Sequence, residues 1–148
     1  MSQHADPRVA AAIRFFEVLS PADVAAMDRL YTADVWFKDP FNEVSGLPAL
    51  QRIFAHMFEC LDEPRFNVLS ALAEGEQCFL TWDFVFRMKG QKLPRRIHGS
   101  SHLRFSAADP LGGITYHRDY WDAAEELYEK LPVLGTLLRW IKRRLSVV

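Results

Sequence analysis

The run Ile114-Thr-Tyr-His-Arg-Asp-Tyr-Trp-Asp122 constrains this chain more than any other. β-Branched and aromatic residues crowd it, with charges spaced between them, as in a strand half covered by a core. Side chains alternate across a strand. Thr115, His117, Asp119 and Trp121 therefore share one face, and Ile114, Tyr116, Arg118 and Tyr120 the other. Groups capable of proton transfer stand beside a Trp on a single surface. The earlier chain reads as the wall around that surface.

The N-terminal third has helical signals. Asp6-Pro7 supplies an N-cap acceptor and a proline for the first turn, and Val9, Ala12, Ile13 and Phe16 recur at helical spacing, predicting a helix over 7–19. Ser20-Pro21 with Asp23 repeats the start signal, with Val24, Met27 and Tyr31 on one face of a second short helix. The period then changes to two over Asp34–Asp39, placing Val35, Phe37 and Asp39 together, and Pro40 ends that strand because it cannot donate to a ladder. Gly46 and Pro48 open a third helix, with Leu50, Ile53, Phe54, Met57, Phe58 and Leu61 on its apolar face and Asp62-Glu-Pro64 as its stop. Strands follow at 65–72, 77–88, 95–107 and 114–121, separated by Glu74-Gly75-Glu76, Lys89-Gly90-Gln91 and Asp109–Gly113. Asp122 caps a short helix over 123–130, and a final helix covers 133–146. Helices followed by a long antiparallel meander predict an α+β fold with helices on one face of a curved sheet.

The 148 residues suit one domain, 1–148, with 123–148 as a helical extension. A hydrophobic content of 49% permits a substantial core, and a net charge of -1 gives no reason to expect nucleic acid as partner. Cys60 and Cys78 sit in apolar surroundings and read as buried free thiols. The opening MSQHADPR lacks the apolar core of a signal peptide, and no apolar run is long enough to span a bilayer, so a cytoplasmic location is expected.

Three carboxylates stand out. Asp83 and Thr81 are the polar residues of the otherwise apolar run Phe79–Phe86, so Asp83 is either a structural carboxylate or a pocket acid of raised pKa. Asp39 begins a turn or serves as a base at the mouth of a pocket. Asp119 shares a face with His117, two positions away. His98 and His102 fall on the opposite face from the pocket, with Arg104. No Cys, His and carboxylate spacing resembles a metal site, and neither a phosphate-binding glycine loop nor a nucleophile elbow occurs.

The order of elements, together with Tyr31 through Asp39-Pro40, Gly46 before the long helix, Ser101–Phe105 and His117–Asp122, resembles the nuclear transport factor 2-like superfamily, in particular its SnoaL-like and ketosteroid isomerase-like branch. The resemblance implies a cone-shaped α+β barrel, usually a homodimer, with an apolar pocket between helices and sheet. Matched by position, Asp39 takes the place of the ketosteroid isomerase base, while the oxyanion tyrosine and aspartate fall at Phe15 or Phe16 and at Ser101. The late strand is also similar to that of limonene epoxide hydrolase, whose two carboxylates fall at Asp83 and Asp119 and whose intervening arginine falls at Thr81. Its water-holding tyrosine and asparagine fall at Phe37 and Asp39. The implied site joins Asp119, Asp39, Asp83 and His117 to a pocket of Phe16, Phe37, Thr81, Ser101, Leu103, Thr115 and Trp121.

The expected function is acid/base isomerisation, cyclisation or hydrolysis of a small apolar, oxygenated molecule, with no cofactor because positioned proton transfer suffices. The alternative is a non-catalytic carrier of an apolar or lipid-like ligand on the same fold. Trp82, Phe84, Phe86, Tyr116 and Tyr120 are assigned to the outer sheet face as a homodimer patch. In the tail, Leu134, Leu137, Leu138, Ile141 and Leu145 oppose Arg139, Lys142, Arg143 and Arg144, so the helix either packs on the barrel or lies on a membrane.

Overall fold

A computed structural model describes residues 4–109, 112–126 and 132–146. Its helices are α1 (Pro7–Val18), α2 (Pro21–Val24), α3 (Leu47–Cys60), α4 (Ala123–Glu126) and α5 (Pro132–Leu145), with a 3-10 turn at Met27–Arg29. Its strands are β1 (Tyr31–Lys38), β2 (Glu43–Ser45), β3 (Leu61–Glu74), β4 (Gln77–Met88), β5 (Pro94–Phe105) and β6 (Ile114–Trp121). They form one curved, unclosed sheet in the order β2-β1-β6-β5-β4-β3. The β1–β6 pair is parallel and the others are antiparallel.

The α+β cone follows from where the apolar stripes go. Asp6 accepts the Arg8 N–H at 2.9 Å and starts α1, which buries Val9, Ala12, Ile13 and Phe16. α3 buries Leu47, Leu50 and Phe54. These stripes meet the inner face of the sheet, where Val35, Phe37, Cys78, Leu80, Trp82, Leu103, Phe105 and Ile114 complete the core. α3 starts at Gly46, whose φ of 93° lies where residues with a Cβ are strained, and the Gly46 N–H reaches the Val35 carbonyl at 2.8 Å.

Several sequence expectations change. Tyr31 opens β1 instead of lying on a helix face, because the preceding 3-10 turn ends at Arg29. β2 was not foreseen: Asn42 and Asp39 close a turn that returns the chain antiparallel to β1. The expected stop at Asp62–Pro64 is a bulge inside β3, where Glu63 takes a φ of 51° and the register shifts between Asp62 and Arg65. Cys60 is exposed at the end of α3, while Cys78 is buried, which pushes its thiol up to about 12. The predicted helix over 123–130 is seen at Ala123–Glu126, and 127–130 lie outside the described residues. No helix among the described residues is long and apolar enough to cross a membrane.

The largest correction concerns the faces of β4. Cys78, Leu80, Trp82 and Phe86 are buried inside the cone, with Phe84 stacked on Phe66 at 4.5 Å. Thr81 and Asp83 therefore face outward. The run is rich in apolar residues at both parities, so hydrophobicity alone leaves the parity open. The polar pair at 81 and 83 marks the outer face.

Gly99 makes room for this arrangement. It lies between Trp82 on β4 and Trp121 on β6, and a Cβ built there would stand 2.4 Å from the Trp82 ring. We expect Gly99→Ala to displace Trp82 and to lower unfolding free energy by about 1–3 kcal/mol, the usual effect of overpacking. Urea denaturation with Trp fluorescence measures it, and a neutral result would show that the indole has room to move.

Candidate functional site

A chain of hydrogen bonds crosses the inner face of the sheet. The Trp82 indole N–H donates to the Ser101 hydroxyl at 2.8 Å, and Ser101 donates to Asp119 Oδ1 at 2.5 Å. His117 Nε2 meets the same Oδ1 at 2.7 Å, and its Nδ1 lies 2.8 Å from the Tyr31 hydroxyl. One assignment of protons uses every group. In it His117 Nε2–H donates a hydrogen bond to Asp119, while Nδ1 accepts from the Tyr31 O–H. No buried side-chain nitrogen or oxygen among the described residues lacks a partner.

Local sequence explains each position. Ser101 stands directly across from Asp119 in the β5–β6 register, and Leu103 stands across from His117. His117 and Asp119 share a face because they are two apart on one strand. Tyr31 reaches His117 from the start of β1, the strand beside β6, with the two rings within 2° of parallel. Phe16 and Phe37 pack edge-on against the imidazole at 5.6 and 4.9 Å. Burial, and secondarily the Asp119 charge, push the Tyr31 hydroxyl well above its usual pKa, so it remains a proton donor.

Asp119 differs from its partners in exposure. Its side chain is 16% exposed against 2% for His117, and among the described residues only Oδ1 takes the two bonds. It borders two spaces. Inside is a small, partly open cavity of about 10 Å³, lined by Phe16, Phe54, Phe66, Val68, Trp82, Ser101, His117 and Asp119. That volume holds about one water molecule. Outside is an open groove of about 470 Å³ lined by Lys38, Asp39, Pro40 and Arg118 through Asp122. The groove exists because β1 stops at Lys38, opposite Arg118, while β6 continues to Trp121. Pro40 prevents β1 from following it. A larger open groove of about 780 Å³ lies between α2 and α3, with none of the acid/base residues in its lining.

The residues singled out from sequence separate into three places. Phe16, Ser101, His117 and Asp119 line the inner cavity, and Phe37 and Leu103 pack behind His117. Asp39 and Trp121 line the groove with Asp119. The Asp39 carboxylate is engaged in a turn, with Oδ1 accepting the Phe41 and Asn42 N–H groups at 2.8 and 2.7 Å and the Asn42 side chain at 3.1 Å. Thr81, Thr115 and Asp83 are not in the pocket. Thr81 pairs with the Ser70 hydroxyl on the outer face. Thr115 is the extra residue of a β6 bulge, and its hydroxyl donates to the Arg104 carbonyl at 3.3 Å. Asp83 lies outside, 2.9 Å from His98 Nδ1 and 3.6 Å from Arg96, so it shares no cavity with Asp119. Tyr31 and Trp82 were missed as site residues. The signal for Tyr31 was its place at the head of the strand beside β6, and the signal for Trp82 was the polar parity of Thr81 and Asp83. Among the described residues no three His, Cys, Asp or Glu side chains gather in a metal-binding group.

The α+β cone with its helical cover has the nuclear transport factor 2-like fold. The family model for the SnoaL-like domain matches residues 12–117, and the chain belongs to that family. No curated protein matches the sequence. Among solved structures it is similar to a hypothetical protein with a ketosteroid isomerase-like fold from Catenulispora acidiphila, in complex with trimethylamine. The TM-score is 0.69 at 17% identity over 84% of this chain and 92% of that one. It is also similar to an NTF2-like protein of unknown function from Burkholderia pseudomallei, with TM-score 0.69 and 14% identity over 81% and 94%. A third is an LEH-like epoxide hydrolase of M. tuberculosis, with TM-score 0.64 and 14% identity over 95% and 93%. At these identities the likeness is one of fold.

Tyr31→Phe tests the chain of bonds directly. It leaves His117 Nδ1 buried without its donor, and we expect a loss of about 1–3 kcal/mol in stability. The urea midpoint should fall with an unchanged slope. An unchanged midpoint would mean that Tyr31 contributes nothing through its hydroxyl.

Proposed function

We propose that the protein is an acid/base enzyme acting on a small apolar, oxygenated molecule, with Asp119 as the proton-transfer group. The observation that supports this most directly is the placement of Asp119. It is held by His117 and Ser101, keeps a partly exposed side chain, and lines the groove. A substrate lying against the end of β6 meets Oδ2, while Oδ1 is fixed by two donors. His117 and Tyr31 are positioning residues that orient the carboxylate and can absorb a change in its charge. Asp39, on the opposite rim, orients polar substrate groups through its turn. No cofactor enters this scheme, since proton transfer by a positioned side chain accounts for it. The epoxide hydrolase activity of the M. tuberculosis protein is compatible with the reaction class, although the carboxylate pair expected from that resemblance does not assemble here.

A second reading is a non-catalytic binding protein. It is favoured by the absence, among the described residues, of any buried side-chain nitrogen or oxygen without a partner, and by an inner cavity of only about 10 Å³. Asp119→Asn separates the two. The amide oxygen can still accept from Ser101 and His117, so the fold is kept while the charge is removed. With a panel of small apolar ketones and epoxides, we expect turnover to fall by about 10²–10⁴-fold while binding is retained. Unchanged turnover in the variant would remove Asp119 as the proton-transfer group, and no turnover of any compound by the parent protein, with binding retained, supports the carrier.

We also propose a homodimer through the outer sheet face. Trp82 and Phe86 are buried inside the cone, with Phe84 packed beside them, so the patch differs from the one the sequence suggested. It consists of a row in which Phe79, His102, Tyr116 and Trp36 touch in turn, at ring separations of 4.2, 5.1 and 4.8 Å. Phe79, at one end of the row, is 46% exposed, and Leu72, its partner across the β3–β4 pair, is 75% exposed. Burial, and then Arg104, hold His102 below its usual pKa, which keeps the row free of one charge at neutral pH. Light scattering at micromolar concentration is expected to give twice the 17.1 kDa chain mass. A monomer there would remove the proposal.

A further inference from the structure

The tail helix presents a surface that the proposed site does not use. α5 runs from Pro132 to Leu145 and contains no acidic residue. At 100° per residue, Leu134, Leu137, Leu138, Ile141 and Leu145 fall within one arc. The apolar face of such a helix usually packs on its own domain. Here it does so only at Leu138, which is half-buried: Leu134, Leu137, Ile141 and Leu145 are 40, 52, 38 and 76% exposed, and Trp140 at the margin is 49% exposed. Lys142 and Arg144 flank the arc on opposite sides, with Arg139 and Arg143 behind it. The Arg144 guanidinium lies 5.1 Å from the centre of the Trp140 ring.

We propose that α5 lies on an anionic membrane surface, with its leucine arc in the acyl boundary and its basic flanks against lipid phosphates and carboxylates. Three features select this occupant over another protein surface. The cations border the apolar arc on both sides, as required of a helix lying in the interfacial plane. Long basic side chains beside the arc can extend upward to headgroups while their stems stay in apolar contact. Trp140 stands beside Arg144 on one flank of the arc, where an indole ring can meet the headgroup level of a bilayer surface. A second copy is a poor fit: parallel pairing of the arcs would bring Lys142 and Arg144 of both helices together, and antiparallel pairing would give the cations no acidic partner, since α5 contains none. The lipid surface would deliver apolar molecules near the protein, whatever the reaction at Asp119.

Co-sedimentation of the full chain with vesicles tests the assignment. One set contains phosphatidylcholine alone and the other contains phosphatidylcholine mixed with phosphatidylserine. The expected result is binding to the mixed vesicles, weak or no binding to the neutral ones, and loss of binding at high salt. The double variant Arg143→Glu, Arg144→Glu should weaken binding to the anionic vesicles by at least about twenty-five-fold, from roughly fivefold per cation removed. Leu137→Ser with Ile141→Ser should abolish it without lowering the thermal midpoint, because that face is not part of the core. No binding to anionic vesicles overturns the proposal. So does equal binding to both sets, or a fall in the midpoint of the serine variant showing that the arc packs within the protein. A concentration-dependent oligomer lost in the serine variant, without vesicle binding, would assign the face to a second copy.

Discussion

A carboxylate inside an apolar cone is the constraint on which the arrangement depends. Burying an ionised group without partners costs several kcal/mol, so Asp119 fixes what must surround it. Two donors meet Oδ1, one from the opposite strand and one from two residues back on its own strand. Each donor needs its own support. Trp82 donates to Ser101, which orients that hydroxyl toward the carboxylate, and Tyr31 donates to His117, which fixes the tautomer. Four strands thereby contribute to one polar chain: β1, β4, β5 and β6. The register of the sheet and the polarity of the core determine each other. A one-residue slip of β6 would exchange His117 and Asp119 for Tyr116, Arg118 and Tyr120 on the inner face.

Much of this could be read from residues. Alternation in β6 places His117 and Asp119 together, and the β5 pattern turns Ser101 and Leu103 inward and His98 and His102 outward. Helical spacing gives α1 and α3 with their buried faces. What could not be read has particular causes. β4 is apolar at both parities, so Thr81 and Asp83 were turned inward when their polarity belongs to the outer face. Thr115 sits in a bulge, and alternation fails across a bulge because one strand carries an extra residue. Tyr31 lies where a 3-10 turn passes into a strand, and helical spacing to Met27 hides its role. Positional likeness to enzymes of the same fold misled at Asp83 for the same reason: a matched position conveys a role only when the side chain faces the same way.

The interior also determines where chemistry could occur. Phe16, Phe54, Phe66 and Trp82 fill the space that a large ligand pocket would need, leaving about 10 Å³. An interior of that density resists intrusion, since side chains would have to leave packed positions to admit a ligand. The groove at the end of β6 has no such barrier, because it arises from the early stop of β1 at Pro40 and not from loose packing. Asp119 is the member of the polar chain that reaches it. Its Oδ1 belongs to the hydrogen-bonded core and the residue lines the edge of the groove, so the same strand end supplies both the stability of the site and its access. Charge formed or lost at that edge would be felt by His117 and Tyr31 without any movement of the core. The full packing of the cone is therefore compatible with proton transfer at Asp119, provided that the substrate stays at the rim.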